Sequence, residues 1–389
     1  MKGHIRERSP GHWAIVVDIR DTESGKRKRK WHSFEGTKRE AQVECSKLIA
    51  ELTGGAYVEP SRTTLAAFLD KWLAHVRTQI SPKSFERYSE IARNNIVPVL
   101  GAIPLSKLQP VAISSAYAKA LSNGRRTGGG LAPRTVHFMH RILRQALGQA
   151  VRWQILAKNP CDAVKPPRVE RKKTATLTAE QAAELLSALA HSRVYWPVLL
   201  ALVTGMRRGE VLALRWEHVD LDRGTVQVRE TIEQTRLLMR FKPPKSGRTR
   251  AVTLPAFAVI ELRRWKTEQA QELLRLGVRQ AGTTLVCGTA DGGTRSPHSL
   301  TTEFARFMHQ MQDLPQVRFH DLRHTHATLL LASGVHPKIA AERLGHSSIS
   351  ITLDLYSHAV ESLQDEAASR VDAALGRALD VQRQREKKG

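Results

Sequence analysis

Thr204-Gly-Met-Arg-Arg-Gly-Glu-Val-Leu-Ala-Leu-Arg-Trp216 decides how the C-terminal half of this chain is read. Gly205 can end one helix and permit a tight approach before the next begins. Arg207 and Glu210 then stand one helical turn apart. That spacing alone suits an ordinary ion pair worth a few tenths of a kcal/mol as well as it suits an arginine held for a ligand. Arg208 points about 100° away from Arg207 on a helix, so only one of them can face a given group.

Three further patterns lie downstream. His320-Asp-Leu-Arg323 places an imidazole and a guanidinium on one helical face, where both can grip one phosphate. His324 and His326 crowd the same turn, so a metal site has to be weighed, but no carboxylate or cysteine stands at ligand spacing and no metal is expected. Leu344-Gly-His346-Ser-Ser348 reads as a turn between helices, with Gly345 at the bend and a serine capping the second helix. Leu353-Asp-Leu-Tyr356-Ser-His358 sets Tyr356 near the end of a short helix. Taken singly, a histidine in such a turn is usually structural and a tyrosine on such a helix usually packs.

Outward from these patterns, residues 175–380 read as one mainly helical domain. Thr178-Ala-Glu-Gln181 is a capping box. Val219 to Leu221, Thr225 to Thr231 and Arg250 to Leu254 read as three antiparallel strands, with turns at Asp222–Gly224 and Lys245–Gly247. Helices resume from Ala256. A tail helix is expected from Glu361 to Leu379, packing on its own domain or on an adjoining subunit, then a frayed basic end at 381–389. Upstream, 166–174 is a basic linker with Arg168, Arg171, Lys172 and Lys173, and 61–165 reads as all helix. Its first apolar stripe is Leu65, Phe68, Leu69, Trp72 and Leu73, and further helices are expected at 84–96, 111–121 and 133–153. The Gly-rich loop 123–130 carries Arg125 and Arg126, and Arg134 comes just after it. Residues 1–58 read as a hairpin, with strands at Trp13–Ile19 and Arg29–Phe34, backed by a helix that Thr37 and Glu40 cap. On that hairpin Lys26, Arg27, Lys28, Arg29 and Lys30 form either a solvated turn or a phosphate contact.

Composition fits this layout. The 389 residues exceed one ordinary core, and 61 Lys and Arg against 37 Asp and Glu give a formal charge of +24, which favours a polyanionic partner. Cys45, Cys161 and Cys287 lack the spacing of a zinc site or disulfide framework, and no segment reads as a signal peptide or membrane span, so a cytoplasmic protein is expected.

In this order, Arg207, Lys245, His320, Arg323, His346 and Tyr356 resemble the catalytic set of the tyrosine recombinases, the phage integrase family. The resemblance covers most of the chain. Residues 61–165 look like the family's core-binding domain and those from 175 like its catalytic domain, while the basic N-terminal hairpin resembles the arm-binding domain of integrases from phages and integrative elements. The resemblance implies a metal- and ATP-independent DNA strand transferase, with no cofactor. It would act as a homotetramer on paired duplex sites, through a four-way junction, with a DNA-bending host factor and an excision factor as further partners. Tyr356 would be the nucleophile, Arg207 and Arg323 the phosphate clamp, His320 and His346 phosphate or proton ligands, Lys245 the acid for the leaving 5′-oxygen, and Glu210 a supporting residue. Lys242 rivals Lys245 across Pro243-Pro244, and the match of Lys245-Ser-Gly to the family's hairpin turn favours Lys245. DNA contacts are assigned to Lys26–Lys30, Arg125, Arg126, Arg134, Arg171, Lys172 and Lys173. His326 departs from the family, which commonly has an apolar aromatic there. The competing readings are a type IB-like topoisomerase and a catalytically silent DNA-binding regulator.

Overall fold

The computed structural model describes residues 3–20, 27–53, 62–125, 127–170, 175–244, 247, 249–346, 348–356, 368–369, 371–377 and 379. The chain divides into two compact units, Met1–Arg171 and Lys172–Gly389.

The first unit begins with an antiparallel sheet of β1 (Gly3–Ser9), β2 (His12–Arg20) and β3 (Arg27–Glu35), followed by α1 (Lys38–Thr53). Trp13 to Val17 are buried, and Ile15 and Val17 pack with Cys45 and Leu48 of α1. The expected cap forms: the Thr37 backbone N–H donates to Glu40 Oε2 at 2.8 Å, and the Glu40 N–H to Thr37 Oγ1 at 3.4 Å. The sequence showed a two-stranded hairpin, and the structure adds β1 at its edge. Its sequence, Gly-His-Ile-Arg-Glu-Arg-Ser, carries a single large apolar residue, Ile5, so no alternation announces a strand. Residues 21–26, between β2 and β3, lie outside the described residues.

The rest of this unit is helical: α2 (Leu65–Val76), α3 (Pro82–Ile91), a π turn over Ala92–Ile96, α4 (Val97–Leu100), α5 (Pro110–Asn123) and α6 (Pro133–Arg152). Each helix starts where the sequence supplies a stop for the backbone donors. Thr64 and Ser81 cap α2 and α3, and prolines open α3, α5 and α6, where a missing N–H costs nothing. Leu65, Phe68, Leu69, Trp72, Leu73 and Val76 all face the core, each burial contributing about 1.5–3 kcal/mol before entropy is charged against it. The Gly-rich loop between α5 and α6 is closed on itself: the Arg125 N–H donates to Gly129 O at 3.0 Å, and the Leu131 N–H to Ala120 O at 2.8 Å.

The second unit contains α7 (Ala179–Ala188), α8 (Tyr195–Thr204), α9 (Arg208–Ala213), β4 (Val219–Asp220), β5 (Thr225–Val228), β6 (Thr231–Gln234), β7 (Met239–Lys242), β8 (Arg250–Thr253), α10 (Ala256–Arg275), α11 (Pro297–Gln310), α12 (Asp321–Ala332), α13 (Pro337–Leu344) and α14 (Ile349–Tyr356). β4, β5 and β8 form the expected antiparallel sheet, with Val226 opposite Val252. The run read as one strand from Thr225 to Thr231 instead breaks after Val228. β6 and β7 then form a separate hairpin, with Glu233 opposite Arg240. Its charged, partly buried pairs defeat an apolar alternation pattern. α8 is buried along almost its whole length and forms the axis of the core. The chain is predominantly helical with small antiparallel sheets.

Candidate active site

Three turns of the second unit converge. The first comes after α8, where Gly205 adopts φ 65° and caps the helix. Only glycine fits there, because a Cβ would lie 2.6 Å from both His326 Cδ2 and Leu344 Cδ2. The chain then extends through Arg207, the N-cap of α9, whose backbone N–H donates to Glu210 Oε2 at 3.0 Å. The Arg207 side chain reaches Glu210 Oε1 at 2.9 Å and the Gly345 carbonyl at 3.0 Å. An ion pair is present, and it is tied to the turn at Gly345, 138 residues away in sequence. Arg208 points elsewhere, to the Thr301 hydroxyl on α11.

The second turn opens α12. His320 is its N-cap, and the buried Arg323 donates from Nη1 to the Gly205 carbonyl at 2.7 Å. Arg323 Nη2 is buried without a hydrogen-bond partner among the described residues. Burial, then the charge of Arg207, pushes the Arg323 guanidinium down to about 9. An arginine in a folded protein keeps its proton, so Arg323 is a buried positive charge.

The third turn is the αL residue Gly345 (φ 66°), after α13, and it leads into the half-buried His346. His346 Nδ1 shares a 2.8 Å hydrogen bond with Thr352 Oγ1 of α14. Burial, then Arg323 and Arg207, pushes His346 down to about 4, so it is neutral at physiological pH. His320 is more open in surface area, but desolvation, then His324 and Arg323, also holds it below the usual histidine range. Ser348 accepts from the Ser350 N–H at 3.3 Å and starts α14, whose last residue is Tyr356.

Glu210 lies beneath these turns, with its side chain fully buried. Burial pushes its carboxyl up, but hydrogen bonds and charge from Arg250 and Arg207 outweigh this and hold it below the ordinary carboxylate range. Arg250, at the start of β8, donates from Nη2 to Glu210 Oε2 at 2.6 Å and from Nε to the Arg343 carbonyl at 2.9 Å. Arg343 in turn donates from Nε to His326 Nε2 at 3.1 Å and from Nη2 to the Val203 and Thr253 carbonyls. His326 Nδ1 bonds the Leu202 carbonyl at 2.7 Å. The sequence singled out neither Arg250 nor Arg343, two among 61 Lys and Arg residues with no local spacing to mark them.

Arg207, Glu210, His320, Arg323 and His346 are therefore brought together, with Tyr356 ending the helix that Thr352 joins to His346. Lys245 lies outside the described residues. Its rival Lys242 is paired with Glu233 across the β6–β7 hairpin. Of the residues assigned to DNA, Arg27 to Lys30 lie on β3, Arg125 and Arg134 are exposed, and Lys26, Arg126, Arg171, Lys172 and Lys173 lie outside the described residues. Among the described residues, no group of three or more His, Cys, Asp or Glu is arranged to hold a metal ion, and no helix is long and apolar enough to cross a membrane. A cleft of about 710 Å³ lined by Trp216 to Asp222, Arg263 and Lys266 shares no residue with the cluster.

An arginine pair, a buried carboxylate and two histidines thus stand beside the helix that ends in Tyr356. Residues 175–362 match the phage integrase family profile, and residues 64–121 match the profile of the phage integrase N-terminal SAM-like domain. The chain belongs to the phage integrase family of tyrosine recombinases. It is 28% identical over 383 residues to a XerC-like tyrosine recombinase of Caldanaerobacter subterraneus, covering 93% of this chain and 96% of that protein. It is 29% identical over 249 residues to the ICEBs1 integrase of Bacillus subtilis, covering 63% and 67%. Among solved structures, the Tn1549 transposon integrase in complex with a circular intermediate DNA superposes with a TM-score of 0.66 at 20% identity, covering 79% of this chain and 99% of that one. A lambda integrase dimer bound to a core site gives 0.57 at 18%, covering 90% and 94%. At these identities the structural likeness speaks for the fold.

Proposed function

We propose that this integrase integrates or excises a mobile element by cutting and rejoining DNA through a 3′-phosphotyrosine on Tyr356, without metal or ATP. The observation that carries the reading is the preassembled anion grip: Arg323, buried with Nη2 unpartnered among the described residues, beside Arg207 and the neutral His346. Moving a strand without ATP requires the phosphodiester energy to be held in a covalent bond. The Tyr356 phenolate attacks phosphorus, the P–O bond to the 5′-oxygen breaks, and Lys245 supplies the proton to that oxygen. The 5′-hydroxyl of a second strand then reverses the step on a new partner. Negative charge gathers on the non-bridging oxygens, where the fixed guanidinium groups stabilise it without reorganising. A Thr352 hydroxyl donating to Nδ1 leaves the His346 proton on Nε2, the tautomer able to donate to a phosphate oxygen.

Residues 1–58 are assigned to arm-type DNA, 61–165 to the core site, 166–174 to a basic linker and 175–380 to catalysis, ahead of a basic tail at 381–389. Charge of +24 suits a duplex partner in the cytoplasm. A tetramer on paired sites is proposed because lambda integrase is seen as a tetramer bound to a Holliday junction. Host bending and excision factors complete the scheme. The test uses nicked suicide duplexes tiled across the DNA flanking the gene. Wild-type protein should form a covalent adduct, and Tyr356→Phe should bind equally and form none. Undiminished adduct in the variant overturns the assignment, and exchange between two labelled duplexes separates recombination from simple rejoining.

A further inference from the structure

Arg250 is a third guanidinium within this cluster, and it does not face outward. Its side chain is 9% exposed, Nη2 donates to Glu210 Oε2, and Nε donates to the Arg343 carbonyl. Nη1 is buried without a hydrogen-bond partner among the described residues. A Cβ on Gly345 would lie 3.0 Å from that same Nη1 and 3.2 Å from Cδ and Cζ, so Arg250 forms the floor of the turn that presents His346. Glu210 is thus shared: one carboxylate oxygen takes Arg207 Nη1, and the other takes the Arg207 backbone N–H and Arg250.

From this arrangement we infer that Arg250 is a positioning residue of the phosphate site, supplying the positive charge that offsets Glu210 so that Arg207 is held in place without being neutralised. The inference rests on the proposed recombinase function. The logic is a charge count. A lone carboxylate bonded to Arg207 orients it well but cancels its charge, leaving Arg323 to meet the phosphate. With Arg250 on the opposite oxygen, two guanidinium groups share one carboxylate, and together with Arg323 the site keeps a net positive charge for the transition state. A lysine would bring the charge without the fork needed to reach Glu210 and the Arg343 carbonyl together.

The experiment measures single-turnover adduct formation by the full chain on a nicked duplex identified with wild type. One version carries the natural phosphate, and the other a neutral methylphosphonate at the cleaved position. Arg250→Met should bind both duplexes like wild type yet cleave the phosphodiester about 10- to 100-fold more slowly, losing far less on the methylphosphonate, whose transition state gathers less charge. Adding Glu210→Gln to Arg250→Met should recover part of the loss, because the uncompensated carboxylate is gone. Should Arg250→Met fold poorly, Arg250→Lys, with a smaller loss and the same substrate dependence, reads the same effect. Equal slowing on both substrates, an unslowed Arg250→Met, or a double variant slower than the single would each overturn the inference. Absence of any wild-type adduct would instead overturn the recombinase reading. The Arg250 inference then falls to a thermal-shift titration with inorganic phosphate, in which Arg250→Met should lose protection that wild type shows.

Discussion

Replacing Gly205 by alanine tests the joint on which the site is built. The residue holds φ 65°, and an added methyl would sit 2.6 Å from His326 Cδ2 and from Leu344 Cδ2. The backbone term is about 1–2 kcal/mol for an L-residue in this conformation, and forced repacking of a tight core adds about 1–3 kcal/mol. The sum, about 2–5 kcal/mol, corresponds to a Tm lowered by roughly 5–15 °C for a unit of this size. Gly334→Ala isolates the backbone part, since Gly334 has φ 76° with no atom within 4 Å of the added methyl, and should lose only about 2–5 °C. Because the Gly205 carbonyl is the acceptor for Arg323 Nη1 at 2.7 Å, Gly205→Ala should also slow adduct formation, which Gly334→Ala should leave near wild type. Thermal unfolding of the full chain and single-turnover cleavage read the two effects. A Gly205→Ala protein no less stable than Gly334→Ala would refute the packing described at this turn.

Three other perturbations probe the same geometry. His326→Phe should cost about 1–3 kcal/mol near pH 7.5, because Arg343 Nε and the Leu202 carbonyl each lose a buried partner. Burial, then Arg343, pushes His326 down to about 4, below an unfolded value of about 6.5, so the unfolded chain gains the proton first and stability drains away between these values as pH falls. The wild-type urea midpoint should therefore drop more steeply than that of His326→Phe from pH 6.5 to 4.5, and parallel curves would contradict this. Lys245→Ala should lose cleavage on ordinary DNA and regain it when the leaving 5′-oxygen is replaced by sulfur, whereas Lys242→Ala should chiefly loosen the β6–β7 hairpin through Glu233; the reverse pattern would move the acid role to Lys242. Alanine at the arginines between Lys26 and Lys30 should reduce the salt slope of binding at arm sites by about one per lost phosphate contact, and an unchanged slope would remove that surface from the DNA.

The features legible in the sequence are those that short-range spacing encodes. Gly205 and Gly345 mark helix ends because only glycine accepts their dihedral angles cheaply, and Thr178 and Thr37 mark helix starts because their side chains satisfy orphan N–H groups. The order of Arg207, His320, Arg323, His346 and Tyr356 pointed to a candidate site through family resemblance, whereas their convergence depends on contacts across more than a hundred residues, such as Arg207 to Gly345. β1 was hidden because its inner positions include Gly3, which packs against Cys45 and Ile49 by having no side chain. The β6–β7 hairpin was hidden because Glu233 is buried by charge pairing and not by apolar character. Arg250 and Arg343 were invisible for a related reason: half-buried arginines bonded to carbonyls leave no local periodicity.

Arg343 also shapes how the enzyme can open. Its guanidinium bonds His326 of α12, the Val203 carbonyl of α8 and the Thr253 carbonyl of β8. Peeling α13 away would therefore break bonds to α12, α8 and β8, and His346, which follows α13, is expected to share a cooperative folding unit with Arg323. In amide-exchange terms, the last turn of α13 should be protected to the level of α8 itself. On the proposed function, the grip on the phosphate would then be lost chiefly when the second unit unfolds as a whole.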